Sequence, residues 1–200
     1  MRSYMYLDKY FLQSSDLIKT LADETHKVKK ISEMIAGLAK NKSKILIAGN
    51  GGSCADAEHF SGELVCTFKD RDRLGIPAIS LASNPAAITA WANDFEYNTF
   101  FKRQVEALGN RGDILFLIST GGGDRASGAS MNLVYAAEAA SLIGIKVVSL
   151  VGKGGGILDE TSDISINVKS DVTSLIQEAH ISLIHCICLQ VDFLLKEGIA

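Results

Sequence analysis

The sequence predicts an α/β fold in which helices cover both faces of one parallel five-stranded sheet. From residue 44 onward, five short apolar runs alternate with segments of helical periodicity. The runs are almost continuously apolar, which is typical of strands buried on both faces. Several of them end in Gly, Ser or Asn, at the sheet edge where ligands bind in this fold class. We therefore expect a three-layer, doubly wound sheet, with residues 1–200 forming a single domain.

Residues 1–40 precede the sheet and show two amphipathic helical patterns. Apolar residues recur at helical spacing over 7–21 and again over 28–38, with a polar interruption at 23–26. Neither pattern carries an obvious catalytic residue. We expect this helical segment to pack on its own domain or on a neighbouring subunit.

The strands and helices of the sheet region follow one another without a linker or a repeat. Because the carboxyl ends of parallel strands meet at one edge, the loops after them should form one binding crevice. The predicted strands are Lys44–Ala48, Ala78–Leu81, Asp113–Ser119, Lys146–Val151 and Ile164–Val168. The predicted helices lie near 54–68, 85–103, 130–142 and 157–160, with a long last one near 173–197.

Composition and charge exclude several classes of protein. With 47% hydrophobic and 22% charged residues, the chain is an ordinary globular one and not a disordered one. Its net charge of −3 argues against nucleic acid as the main partner, because phosphate backbones select clustered Lys and Arg. No apolar run approaches the roughly 20 residues that span a bilayer, and the N-terminus lacks a signal-peptide core. We therefore expect a cytoplasmic protein without a nucleic-acid or membrane partner.

The loop Gly49-Asn50-Gly51-Gly52-Ser53 joins the first strand to a helix. Ser53 is the predicted N-cap of that helix, and such a junction presents free N–H groups to an anion. The loop is not a Walker A motif, because no Gly-Lys-Ser/Thr follows, and a dinucleotide fingerprint would need a glycine where Cys54 stands. Taken alone, the loop is either an anion-binding loop or a tight turn.

A second candidate anion loop begins with Ser119 and Thr120 after the third strand. Hydroxyl donors followed by glycines and a helix N-terminus suit a phosphate group. Simple turn chemistry is the alternative for this loop.

Ionisable residues on two helices provide the candidate chemistry. His59 and Glu63 are four residues apart, so they share one helix face, although a solvated surface pair is the alternative. Gln177, His180 and His185 lie in the last helix, which is apolar around most of its circumference. Burying such groups without partners costs ~1–3 kcal/mol each, so we expect a partner or a function for them.

These residues would suit an aldose–ketose isomerase. That reaction needs a base that carries a proton between adjacent carbons, and an acid or a metal ion that polarises the carbonyl. Glu63 and His185 could be the base and the acid, and the strand-end loops could clamp a phosphate. Gln177 and His185 are about 12 Å apart along an ideal helix, so they must lean toward each other to share one ion.

In combination, the motifs resemble the sugar isomerase (SIS) domain family, in its phosphoheptose isomerase branch. The likeness runs over nearly the whole chain and is more specific than any single loop. It rests on Gly49–Ser53, Ala55–Ala57, His59-Phe60 with Glu63, Asn93–Phe95, Gln104–Gly109, Gly112-Asp113, Ile118–Thr120, Gly152–Gly155 and Ile176–Glu178 with His180 and His185.

The resemblance implies isomerisation of sedoheptulose 7-phosphate to D-glycero-D-manno-heptose 7-phosphate, for the heptose of bacterial lipopolysaccharide or capsule. It also implies a homotetramer with active sites between subunits, one zinc ion per subunit, and proton transfer by Glu63 and His185. The implied zinc ligands are His59, Glu63, Gln177 and His185. The implied substrate contacts are Asn50, Gly51, Gly52, Ser53, Glu63, Asn93, Asp94, Ser119, Thr120, Gly121, Ser127, Ser130 and Gln177.

The phosphate loop departs from the family pattern Ser-Thr-Ser-Gly-Asn-Ser. We interpret Gly121–Ala126 as a six-residue insertion, after which Ser127 and Ser130 take the places of the later serines. In the alternative, the triglycine replaces the serines and weakens the phosphate clamp. One hypothesis is that Arg125 closes over the phosphate, and a solvated loop tip is the other possibility.

Two rival functions stay open at the level of sequence. One is a non-catalytic sugar-phosphate-binding module, like the family relatives that associate with a replication initiator. The other is an isomerase for a different phosphosugar, since the inserted loop could reshape the pocket. A pure binding module has no need of both Glu63 and His185, so their joint presence favours an enzyme.

Overall fold

A computed structural model of the chain describes residues 4–199 and contains a five-stranded parallel sheet. The strand order is β2-β1-β3-β4-β5, so the chain winds outward in both directions from the centre. The predicted fold class and all five predicted strands are confirmed. The strands are β1 Ile45–Gly49, β2 Ala78–Ser80, β3 Ile114–Ile118, β4 Lys146–Val151 and β5 Ile164–Asn167.

Helices fill the connections between the strands and precede the sheet as a pair. Both N-terminal helices are confirmed, and a 3₁₀ turn at Leu21–Glu24 occupies the polar interruption between them. The helices are α1 Tyr4–Thr20, α2 Thr25–Asn41, α3 Gly52–Val65, α4 Pro85–Asp94, α5 Phe100–Leu108, α6 Met131–Ile143, α7 Gly156–Thr161 and α8 Thr173–Lys196.

The single helix predicted over 85–103 is wrong, because the chain forms α4 and α5 with a 3₁₀ turn between them. Phe95 leaves the helical conformation at φ −136° and ψ −146°, and its ring stacks on Trp91. The Trp91 indole N–H also donates to Thr99 Oγ1 at 2.9 Å, which folds the chain back at this point. These contacts override a helical periodicity that runs through the segment.

Two separate hydrophobic clusters, one on each face of the sheet, give the predicted three layers. In β1, Ile45 and Ile47 pack against α2, α3 and α8, whereas Leu46 and Ala48 pack against α5 and α6. Successive side chains of a strand point to opposite faces, so a strand covered on both sides is apolar at every position. All five residues of β1 and of β3 are buried, which explains why these strands have continuous apolar sequences.

The C-terminal helix α8 is long and apolar enough to cross a membrane, judged by length and composition alone. It contains no uninterrupted apolar run of that length, because polar residues such as Gln177, Glu178 and His180 interrupt it. Half of its most apolar window is buried inside the protein, where Leu183, Ile184 and Ile187 join the core beneath α2 and α3. The apolar character of α8 follows from its place in the core.

From Tyr6 onward, helix α1 is partly buried along one narrow face, at Tyr10, Ser14 and Leu17. The hydroxyl groups of Tyr10 and Ser14 both donate to the carboxylate of Glu178 on α8. On the outer face, Phe11 and Leu12 are 71% and 65% exposed. An apolar helix face left open to water is typical of a surface that another molecule covers.

His180 of α8 lies fully buried beneath the sheet. Its Nε2 lies 3.2 Å from the carbonyl oxygen of Val151, and its Nδ1 has no hydrogen-bond partner. Burial lowers the pKa of this imidazole to about 4, because the charged ring would lose its hydration. His180 is therefore neutral in the folded protein at every pH above this value.

Because His180 is buried in its neutral form, the protein should become less stable at acidic pH, and His180→Gln should remove this pH dependence. The unfolded imidazole gains its proton near its ordinary pKa of 6.5, whereas the folded one does so only near 4. The native state therefore loses stability as pH falls through this window, by ~1.4 kcal/mol per pH unit. Denaturant unfolding at several pH values should show that, below pH 6.5, the free energy of unfolding of the variant rises relative to that of the wild type. A stability difference that is independent of pH would contradict this assignment.

Candidate active site

The candidate site lies at the carboxyl edge of the sheet between β1 and β3, where the winding direction reverses. The loop after β1 and the start of α6 meet there through a reciprocal pair of amide hydrogen bonds. Asn50 Nδ2 donates to Asn132 Oδ1 at 2.9 Å, and Asn132 Nδ2 donates to Asn50 Oδ1 at 2.8 Å. Such a switch point is where open α/β sheets bind their ligands.

The Ser53 side chain does not cap α3, contrary to the prediction. Gly51 occupies the N-cap position with φ +56°, a conformation that favours glycine, and α3 begins at Gly52. Ser53 is buried in the first turn, where its N–H donates to the Asn50 carbonyl at 3.0 Å. With Gly51 at the N-cap, the helix begins two residues earlier than it would with Ser53 as the cap.

The loop after β3 converges on the N-terminus of α6. Ser119 Oγ accepts the N–H of Gly122 at 3.0 Å and lies 3.3 Å from Ser130 Oγ. Ser130 precedes the first residue of α6, and Thr120 and Gly121 are partly exposed beside it. Hydroxyl groups and a helix N-terminus therefore meet at one place, as the phosphate interpretation expects.

The glycines of the loop after β3 contact the start of α7. The carbonyl groups of Gly122 and Gly123 accept the N–H groups of Leu158 at 2.8 Å and Ile157 at 3.1 Å. A Cβ atom on Gly122 would lie 1.7 Å from the carbonyl oxygen of Gly155. The absence of a side chain at Gly122 thus allows the two backbone segments to come into contact.

The tip of the loop after β3, at residues 124–129, is exposed to solvent. Asp124 closes a local turn by accepting the hydroxyl of Ser127 at 2.7 Å and the N–H of Ala126 at 2.9 Å. These bonds lower the pKa of the Asp124 carboxyl. The Arg125 guanidinium pairs with Glu138 on the outside of α6 at 2.6 Å. The structure therefore favours the solvated loop tip for Arg125, and it places Ser127 in the turn at that tip.

We accordingly expect Arg125→Ala to leave the Michaelis constant for a sugar phosphate unchanged within roughly twofold, because an exposed ion pair contributes little. Steady-state kinetics measure this directly, with Ser119→Ala as the variant in which the constant should rise. A large rise of the Michaelis constant in Arg125→Ala would instead show that the arginine contacts the phosphate.

The ionisable residues come together on adjacent faces of α3 and α8. His59 Nε2 lies 3.0 Å from His185 Nε2, and 3.5 Å from Glu63 Oε1. Both histidines are exposed, and the Glu63 side chain is 23% exposed. A carboxylate and two imidazoles are thus accessible to a ligand at one site.

Gln177 lies at the other end of the same helix contact. Its Nε2 is 2.4 Å from where a Cβ atom on Gly52 would be, so a larger residue at position 52 would displace the Gln177 amide. Since Gly52 faces Gln177 and His59 faces His185, α3 and α8 run side by side in the same direction.

The side chains at this site are of the types that bind zinc. Zinc accepts imidazole nitrogen and carboxylate oxygen at about 2 Å in a tetrahedral arrangement, which places neighbouring ligands roughly 3.3 Å apart. The His59–His185 and His59–Glu63 distances are close to this value. Within residues 4–199, no three His, Cys, Asp or Glu side chains form a complete metal-binding group. Glu63 or Gln177 would therefore have to turn toward the two histidines.

Several residues near the site are absent from the sequence prediction. Tyr97 OH donates to Asn50 Oδ1 at 2.9 Å, and the Phe68 ring stacks on His185 with 5.7 Å between centroids. Asn132, the partner of Asn50, is a buried polar residue in an apolar helix, which is the one signal that could have found it. The predicted Asn93 and Asp94 lie in the last turn of α4, where they hydrogen bond to each other.

Asp56 adds a carboxyl group on α3, one turn before His59. Burial raises its pKa to about 6, and the nearby His59 opposes the rise. Its Oδ2 is buried without a hydrogen-bond partner. A carboxyl whose pKa is about 6 therefore lies near His59.

Comparison with known proteins gives one consistent result. The model of the SIS domain matches residues 9–152. A phosphoheptose isomerase of Halorhodospira halophila is 48% identical over 158 residues, which cover 78% of this chain and 76% of that protein. A phosphoheptose isomerase of Helicobacter pylori is 43% identical over 183 residues, covering 91% and 92%.

The fold agrees with the sequence comparison. The structure of a phosphoheptose isomerase from Francisella tularensis superposes with a TM-score of 0.88 at 33% identity, covering 96% of this chain and all of that one. Sequence and structure thus point to the same group of proteins. The chain belongs to the SIS domain family and, within it, to the phosphoheptose isomerases.

Proposed function

We propose that this protein is an aldose–ketose isomerase that converts sedoheptulose 7-phosphate to D-glycero-D-manno-heptose 7-phosphate. The observation that carries the proposal is the convergence of Glu63 and His185 on His59, across the contact between α3 and α8. Residues 122 positions apart in sequence supply a base and an acid to one accessible site. The naming of the relatives as phosphoheptose isomerases supports the choice of sugar.

The mechanism moves one proton between neighbouring carbons. Glu63 removes a proton from C1 of the ketose and returns it to C2, so that an enediol forms and collapses to the aldose. His185 exchanges the proton between the oxygens on C2 and C1, which keeps the charge on the enediol small. Ser119, Ser130 and the N–H groups that begin α6 hold the phosphate, and a held phosphate limits the motion of C1 and C2.

We further propose one zinc ion per subunit, held by His59, Glu63, Gln177 and His185. When bound, zinc would polarise the substrate carbonyl as a Lewis acid. The two imidazole nitrogens and the carboxylate at mutual distances of 3.0 Å and 3.5 Å support this assignment.

A homotetramer with active sites between subunits is part of the proposal. The open apolar face of α1, with Phe11 and Leu12, supports such an assembly, because a contact between subunits would remove it from water. The cytoplasmic location, the absence of nucleic-acid and membrane partners, and the use of the product for lipopolysaccharide or capsule heptose stay predictions. So does the treatment of residues 1–200 as one domain.

The test is turnover of sedoheptulose 7-phosphate by the purified, zinc-replete protein, with the aldose product as the readout. Turnover that disappears in Glu63→Gln would support the isomerase. A folded protein that binds the sugar phosphate without turnover would favour a binding module. Turnover of another phosphoketose alone would keep the reaction and change the substrate.

A further inference from the structure

A buried ion pair between Arg73 and Asp192 lies behind the candidate active site. Arg73 Nε donates to Asp192 Oδ1 at 2.6 Å, and the two side chains are 2% and 7% exposed. No step of the proposed chemistry uses either residue. A buried ion pair is seldom more stabilising than a well-packed apolar pair, so this one calls for a further explanation.

The Arg73 guanidinium binds the end of the helix that carries Glu63. Its Nη2 donates to the carbonyl oxygen of Glu63, and its Nη1 donates to that of Leu64 at 2.9 Å. Both carbonyls belong to the last turn of α3, where a helix leaves its C=O groups without internal partners. The cation therefore fixes the backbone of the proposed base.

The Asp192 carboxylate fixes the surroundings of His185. Its Oδ2 accepts the N–H groups of Lys69 at 2.8 Å and Asp70 at 2.9 Å. The residue before this pair, Phe68, stacks its ring on His185. Asp192 also follows His185 by seven residues, which places both on the same side of α8 after two turns.

We propose that Arg73 and Asp192 are positioning residues that hold Glu63 and His185 at the separation that proton transfer needs. The inference rests on the proposed isomerase function. Neither residue touches the substrate, and they act through the α3 backbone and the Phe68 ring. A displacement of about 1 Å at reacting groups can lower turnover ~100-fold, so a rigid link between α3 and α8 matters for rate.

The variants are Asp192→Asn, which removes the charge at constant shape, and Arg73→Lys, which keeps the charge but loses the guanidinium fork. The matched control is Asp113→Asn. Asp113 is also buried, binds Lys44 Nζ at 2.6 Å and accepts two backbone N–H groups, but these partners are Lys44 and Asn110, which lie just before β1 and β3 and outside α3 and α8.

Asp192→Asn and Arg73→Lys should lower kcat ~10–100-fold with KM within about threefold, because the phosphate loop is not part of the link. Asp113→Asn should lower the melting temperature comparably and leave kcat within about twofold, since only stability is affected. Equal losses of kcat in Asp192→Asn and Asp113→Asn would overturn the positioning role.

A second readout does not depend on activity. The chain contains only four histidines, so its imidazole ¹⁵N NMR spectrum is sparse. Asp192→Asn should shift the His59 and His185 signals and leave those of His26 and His180 in place, whereas Asp113→Asn should move none. If the wild type shows no turnover, the proposed function fails, but these spectra still test whether Asp192 positions His59 and His185. Unmoved His59 and His185 signals would reject the inference.

Discussion

Glu63→Gln is expected to lower turnover of sedoheptulose 7-phosphate at least ~100-fold, the usual scale of a lost acid–base group. Glutamine keeps the shape of the side chain but cannot accept the proton from C1. The Michaelis constant should change less than turnover, because the phosphate is held elsewhere. Stopped assays of aldose formation at saturating substrate measure the effect.

His185→Ala is expected to lower turnover by a similar factor, because it removes the group that exchanges the oxygen-bound proton. Glu58→Gln and His26→Ala are the matched controls, since both residues are exposed and lie outside the cluster. Each variant should remain folded and keep the assembly of the wild type. A loss of less than threefold in Glu63→Gln or His185→Ala would remove that residue from the mechanism.

Among single Gly→Ala substitutions in the phosphate loop, Gly122→Ala is expected to cause the largest loss of stability. The new Cβ would lie 1.7 Å from the Gly155 carbonyl oxygen, so one of two backbone segments must move. Such overpacking should lower the free energy of unfolding by ~2 kcal/mol more than positive φ alone does. The Gly122 N–H would also move from Ser119 Oγ, which should raise KM roughly 10-fold, or about 1.4 kcal/mol of binding.

Gly128→Ala supplies the matched control for this clash. Gly128 has φ +73°, close to the +67° of Gly122, but a Cβ atom there would meet nothing within 4 Å. Both variants therefore carry the strain of a left-handed residue, and only Gly122→Ala adds the steric conflict. Denaturant unfolding and KM measured on both separate the two effects. Equal losses would show that the contact with Gly155 is unimportant.

The sheet was predictable because its strands are buried on both faces. Continuous apolar runs such as Ile114–Ile118 leave little choice of structure, and all five strands match to within about two residues at each end. The break at Phe95 could not be predicted, since a ring stack on Trp91 causes it. The start of α3 was missed because the left-handed backbone of Gly51 substitutes for the expected serine cap.

The site was predictable only in part. The spacing of His59 and Glu63 is local, so it can be read from one helix. The approach of His185 depends on the packing of α8 against α3, which no sequence spacing shows, so the pairing with Glu63 was a hypothesis from chemistry and from the resemblance. Nothing in the sequence joins Arg73 to Asp192, because the two are 119 positions apart and the bond exists only after folding.

The parallel packing of α3 and α8 has a consequence for how such an enzyme can change over evolution. Gly52 meets Gln177, and His59 meets His185, so function depends on two helices staying in register. Each residue added to or removed from either helix would rotate everything beyond it by about 100°. Insertions and deletions are therefore tolerable in a loop such as 121–126 but not within these helices, where only substitution leaves a working catalyst.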